Sequence, residues 1–157
     1  MLMAKGTYKD LLSMQADGPL FGQLMLRDLL LPDLLGQETA NIAYWAGRDL
    51  ARKLPVTEED LTKLFAQVGF GTLTPTTAKK QERHYLLTGT VVETRIANFD
   101  HPDFRLEAGF LAQSLQQILG IVVEANPSVD AHKRQVDLTV ALDPKSEQPV
   151  SPTSLQL

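Results

Sequence analysis

The chain has 157 residues, 43% of them hydrophobic and 22% charged, proportions that fit one compact domain able to hold a core without metal or disulfide. Fifteen basic residues against nineteen acidic ones leave a net charge of −4, which excludes the strongly basic footprint of a nucleic-acid binder. The absence of cysteine excludes disulfides, thiolate metal sites, thiol nucleophiles and thioester lipid anchors.

Residues 1–18 mix polar and apolar types without a sustained period and are expected to form a loose arm. They lack the unbroken apolar run of a signal peptide. Leu20, Leu24, Leu26, Leu29, Leu30 and Leu31 predict a strongly apolar first helix, with Pro32 ending it or opening the next element. After a turn at Gly36, a second helix is predicted from about Glu38 to Lys53, stopped by Pro55. Ile42, Trp45, Leu50 and Leu54 give it bulk, while Ala40, Ala43, Gly47 and Ala51 form a stripe of small residues. Such a stripe admits a close helix neighbour, either the first helix or a second copy of the chain.

Thr57 followed by Glu58, Glu59 and Asp60 reads as the capped start of a short third helix with apolar positions Leu61, Leu64, Phe65 and Val68. The period then changes to two, predicting strands over 70–76, 81–87 and 90–96. Helical period returns from Phe104 and is read through about Ala125, with apolar residues on more than one face. That segment carries Arg105, Glu107 and Glu124, so it is a core helix and no membrane span is expected. Val136, Leu138, Val140 and Leu142 alternate as a half-buried strand. The Pro- and Ser-rich residues 144–157 are expected to be a disordered tail, leaving 19–143 as a single domain. The order implies an α+β fold, a helical layer over one face of a small antiparallel sheet; the composition and lack of cysteine lead to the expectation of a cytoplasmic protein.

Catalytic patterns are weak. His84, His101 and His132 lack the i, i+4 spacing of common helical zinc motifs, although Asp100 and Asp103 flank His101 and Glu82 lies two residues before His84. No nucleophile elbow, dinucleotide fingerprint or phosphate loop is present. The more informative feature is charge in apolar helices. Arg48, Asp49 and Arg52 interrupt the second helix, and Arg105 and Glu107 open the long one. Glu107 is expected to find an arginine or a backbone amide, or to line a pocket. Trp45, Phe65, Phe70, Phe104 and Phe110 could line an apolar cavity or form plain core.

Four motifs carry a resemblance: 31-LPDLLG-36, 44-YWAGRDLARKLP-55, 69-GFGTL-73 and 106-LEAGFLAQ-113. In this order they resemble the YslB-like family of Gram-positive bacteria, catalogued as a domain of unknown function. The long helix and the strand after it are more distantly similar to the 4-vinyl reductase domain, the TRAPP vesicle-tethering subunits and the haem nitric-oxide sensors. The resemblance implies helices packed on an antiparallel sheet, an apolar pocket for a small or acyl-chain ligand, and a dimer through the first two helices. Leu24, Ala43, Gly47 and Ala51 are the interface positions this suggests. The missing cysteines and the missing Tyr-x-Ser-x-Arg motif disfavour covalent acylation and haem, so no cofactor or metal is expected.

The reading that follows is a non-enzymatic homodimer that binds a small hydrophobic ligand, with Trp45, Phe65, Phe70, Arg105, Glu107 and Phe110 as pocket candidates. The alternatives are an adaptor that docks on a protein partner without a ligand, and an enzyme using Arg105 and Glu107 or the Asp100–Asp103 loop.

Overall fold

A computed structural model describes residues 18–157; the expected arm over 1–18 lies outside it except for Gly18, the first residue of a helix. Helix α1 (Gly18–Leu24) runs through a π-helical segment (Met25–Leu30) into α2 (Leu31–Leu35). Pro32 stands in the first turn of α2, directly after the π-helical segment. Gly36, at φ 62°, ends α2 in a conformation that other residues rarely adopt. A 3₁₀ turn (Gly36–Glu38) then leads into α3 (Thr39–Lys53). The short α4 (Leu61–Gln67) follows a turn in which Thr57 Oγ1 accepts the Asp60 N–H at 3.3 Å.

Strands β1 (Thr72–Ala78) and β2 (Glu82–Thr88) lie close to the predicted positions. The third predicted strand, 90–96, is instead helix α5 (Thr90–Asn98). Its β-branched residues favour a strand locally, but Val92 and Arg95 are buried three apart, a helical spacing that tertiary packing rewards. Thr94 Oγ1 and Asn98 Nδ2 also donate to carbonyls four residues back, at 2.7 and 2.8 Å.

The long helix, α6 (Arg105–Leu119), stops earlier than the apolar pattern suggests. Gly120 takes the left-handed conformation and donates its N–H to the Gln116 carbonyl at 2.9 Å, closing the helix. Residues 121–125, expected to be helical, open β3 (Ile121–Asp130). Buried Val123 and Ala125 alternate there with exposed Glu124 and Asn126, the period of a strand.

The last strand, β4 (Gln135–Glu147), contains the predicted alternation and passes the expected boundary at 143. Beyond it, Gln148, Ser151 and Leu155 donate backbone N–H groups to Gly120, Gln117 and Pro55. Residues 144–157 are therefore laid along the body by hydrogen bonds in place of the disordered tail that their composition suggests.

The four strands pair antiparallel in the order β1-β2-β4-β3. Both edges carry a proline, Pro75 in β1 and Pro127 in β3, which blunts further pairing. The α+β class is as expected. Helix α6 packs on β3, and α3 packs along α6. Gly47, from the small-residue stripe, sits in the seam of that second contact: a Cβ on Gly47 would overlap the Leu106 carbonyl, and one on Gly109 the Tyr44 carbonyl. The close neighbour of the second helix is thus neither the first helix nor a second copy but α6. Leu24, Gly47 and Ala51 are buried within the chain and cannot form the dimer interface expected of them.

Candidate ligand-binding cavity

A cavity of about 450 Å³ lies between the α1–α2 segment, the first half of α3 and the turn from α5 to α6. Small-molecule sites fall in this size range. One wall is apolar, built by Leu31, Pro32 and Leu35. The facing wall comes from α3, where Ala40, Ala43 and Ala46 leave room that larger side chains would take, and Ile42 supplies bulk. Phe99 and Leu106 extend the apolar lining. Leu31, Ala40 and Ile42 are also exposed to solvent, so the cavity opens along that rim.

The remaining wall is charged. Arg27, Asp28, Arg95, Asp100, His101 and Asp103 line it. Arg95, almost wholly buried, grips Asp28 through a two-bond fork at 2.8 and 2.9 Å and reaches the Asp103 carbonyl at 2.6 Å. It also donates to Glu107 at 3.4 Å and lies 4.3 Å from the centroid of the Phe104 ring. Arg27 holds Glu107 through two bonds of 3.0 Å and donates to the Asp103 carbonyl at 3.2 Å. Each buried charge therefore has an opposite partner, the condition for tolerating it in a core.

Electrostatics follow this geometry. Burial pushes the Glu107 carboxyl up, but Arg27 and Arg95 outweigh it and hold Glu107 below the ordinary carboxylate range. Asp103 moves the other way, raised mainly by burial, with Glu107 adding to the rise and its hydrogen bond from the Arg105 N–H opposing it.

The local sequence explains how these residues meet. The π-helical segment places Arg27 and Asp28 inside a leucine-rich stretch and turns them toward α5 and α6. Extra-wide turns of this kind recur at functional sites. Arg95 comes from α5 and Glu107 from the first turn of α6. Sequence reasoning singled out Glu107 and its need for an arginine, and two arginines are there. It missed Arg27, Asp28 and Arg95. The available signal was an adjacent Arg-Asp pair interrupting five leucines and a methionine between 24 and 31.

The other predicted site residues are scattered. Phe65, Phe70 and Phe110 pack edge to face, with centroids 5.3 to 5.5 Å apart, and fill the core instead of lining the cavity. Trp45 is 60% exposed on the outside of α3 and is not a lining residue. Arg105 points away from the cavity, donating to Asn126 at 3.1 Å and lying 5.2 Å from the Tyr44 ring centroid. Glu107 sits behind the charged wall, reaching it through Arg27 and Arg95. Ala43 lines the cavity. Among the described residues, no group of three or more histidines and carboxylates is arranged to hold a metal, and no helix is long and apolar enough to cross a membrane.

A sequence comparison finds the Bacillus subtilis (strain 168) protein described as "Uncharacterized protein YslB", 39% identical over 122 residues, covering 77% of this chain and 82% of that protein. Among solved structures, the chain is similar to a vinyl-4-reductase family protein from Methanocaldococcus jannaschii, with a TM-score of 0.55 and 21% identity over 85% of this chain and 86% of that one. A trafficking protein particle complex subunit 3 from Naegleria fowleri, covalently bound to palmitic acid, aligns with a TM-score of 0.45 and 14% identity over 82% of this chain and 91% of that one. The family model described as "Protein of unknown function (DUF2507)" matches residues 20–141, and the chain belongs to that family.

Proposed function

We propose that this protein is a non-enzymatic, cytoplasmic binding module that takes a small hydrophobic ligand into the cavity between α1–α2 and α3. The observation that carries this reading is the cavity itself: about 450 Å³, apolar on two sides and charged on the third. Small-molecule sites share this pattern of mostly apolar lining with a few convergent polar groups. Asp28 on the charged wall and Glu107 behind it are both held by arginines and are poorly placed to move a proton, which supports binding over catalysis at these two carboxylates. The fold likeness leaves activity open, since one fold hosts many functions.

The test is binding of a neutral apolar dye, Nile red, to the wild-type chain and to an Ala43→Trp variant. Ala43 borders the cavity, so the larger side chain fills it. Strong dye fluorescence in the wild type, lost in a variant that still unfolds cooperatively, is the expected result. Equal fluorescence in both would place the apolar site elsewhere and refute the reading.

A second reading, self-association, has its own observation. Leu26, Leu30 and Leu34 are 51%, 44% and 69% exposed at a spacing of four. Adjacent exposed apolar residues of this kind mark interaction surfaces. This outer strip is the place for a homodimer contact, in place of the buried stripe.

A further inference from the structure

The geometry points to a ligand class: the charged wall selects an amphipathic molecule whose polar end donates hydrogen bonds, a hydroxyl or an amine, over one ending in a carboxylate. This rests on the cavity reading above and deepens it. A carboxylate needs a cation with donors to offer, and the two guanidiniums of the wall already direct most of theirs to other acceptors. Arg95 directs bonds to both oxygens of Asp28, to Glu107 and to the Asp103 carbonyl. Arg27 directs bonds to both oxygens of Glu107 and to the same carbonyl. An incoming carboxylate would compete with Asp28 and Glu107 for these guanidiniums, and taking over either fork would strand a buried charge, which is strongly destabilising.

The charge count points the same way. Two arginines are paired with the Asp28 and Glu107 carboxylates and both bind the Asp103 carbonyl, which brings a third carboxylate, that of Asp103, to the same wall. A further anion adds repulsion, whereas a donor head group finds an acceptor. Asp103 is that acceptor: it lines the cavity, and among the described residues its side chain receives one hydrogen bond, from the Arg105 N–H at 3.1 Å to Oδ1. Asp100 and His101 stand beside it on the same wall. Opposite, Leu31, Leu35 and Ile42 offer apolar surface to a hydrocarbon tail.

The test is calorimetric titration of the full chain with three ligands of equal chain length, octan-1-ol, octylamine and octanoate, at neutral pH. Physiological salt screens the general attraction of an acidic protein for cations. Octan-1-ol, being uncharged, separates selection by the wall from that attraction. The expected result is that octan-1-ol and octylamine each bind at least about tenfold more tightly than octanoate, a free-energy gap of the size one well-placed polar contact provides. Asp103→Asn keeps the oxygen that accepts the Arg105 N–H and should weaken octylamine several-fold more than octan-1-ol. Octanoate binding as tightly as octan-1-ol would overturn the proposed selection while leaving the cavity reading intact. Failure of all three to bind would overturn both.

Discussion

At the scale of single residues, Glu107 organises the site. It is almost wholly buried and holds two arginines from different elements. Glu107→Ala would leave Arg27 and Arg95 facing each other with one carboxylate fewer. Removing one partner from a buried ion pair costs about 3–5 kcal/mol, so urea unfolding should detect a loss of that order. His84 gives a prediction of opposite character, on the surface of the sheet. Its ring stands between Glu82 at 2.8 Å and Asp137 at 3.1 Å, and first Glu82, then Asp137, raise its pKa. A raised histidine contributes stability that is complete below its unfolded pKa, about 6.5, and that disappears as pH rises through the higher folded value. Unfolding titrations between pH 5 and pH 8 should therefore show the wild type losing its advantage over His84→Gln as pH increases. An advantage constant across that range would contradict the pairing. The sequence made Glu107 legible because a carboxylate in an apolar helix needs a partner. Arg27 and Asp28 were less legible, since a charged pair at one point of a leucine run also fits an exposed helix face.

At the scale of elements, the seam between α3 and α6 holds the helical layer together. Gly47 and Gly109 let each helix backbone meet the carbonyls of the other. Helix propensity alone favours alanine over glycine by about 1 kcal/mol, so Gly109→Ala would stabilise an isolated helix. Here the added methyl overlaps the Tyr44 carbonyl, and overpacking of this kind typically costs about 1–3 kcal/mol. The account predicts a net loss of stability in thermal unfolding, and a gain would show that the seam is looser than described. The stripe of small residues was readable as a close-packing face, but a one-dimensional pattern does not name the neighbour. Strand α5 would have been on local propensity, and is a helix because Val92 and Arg95 must both face inward. Strand β3 was hidden because Ile121, Val122 and Val123 continue the apolar run of α6. Gly120 alone marks the break, through a left-handed conformation.

At the scale of the whole molecule, the fold class was legible and the site was not. Alternating and helical periods report which residues face a core, which suffices for a helical layer on an antiparallel sheet. A cavity is space left by several elements meeting, here α1–α2, α3 and the turn before α6. Its lining includes small alanines and an engaged arginine cluster, whereas the aromatic residues that looked suited to a pocket interlock in the core. The exposed leucines of the α1–α2 segment lie in elements that also wall the cavity, so ligand entry and self-association would involve neighbouring surfaces.

The most direct test of the binding account is native mass spectrometry of the full chain purified gently from cells, with and without added octan-1-ol. It reads subunit number and retained ligand mass in one measurement. The account predicts a noncovalent adduct in the wild type, lost on denaturation and absent from Ala43→Trp, on a two-chain species if the outer leucine strip pairs. A wild-type chain that carries no adduct under either condition would contradict it.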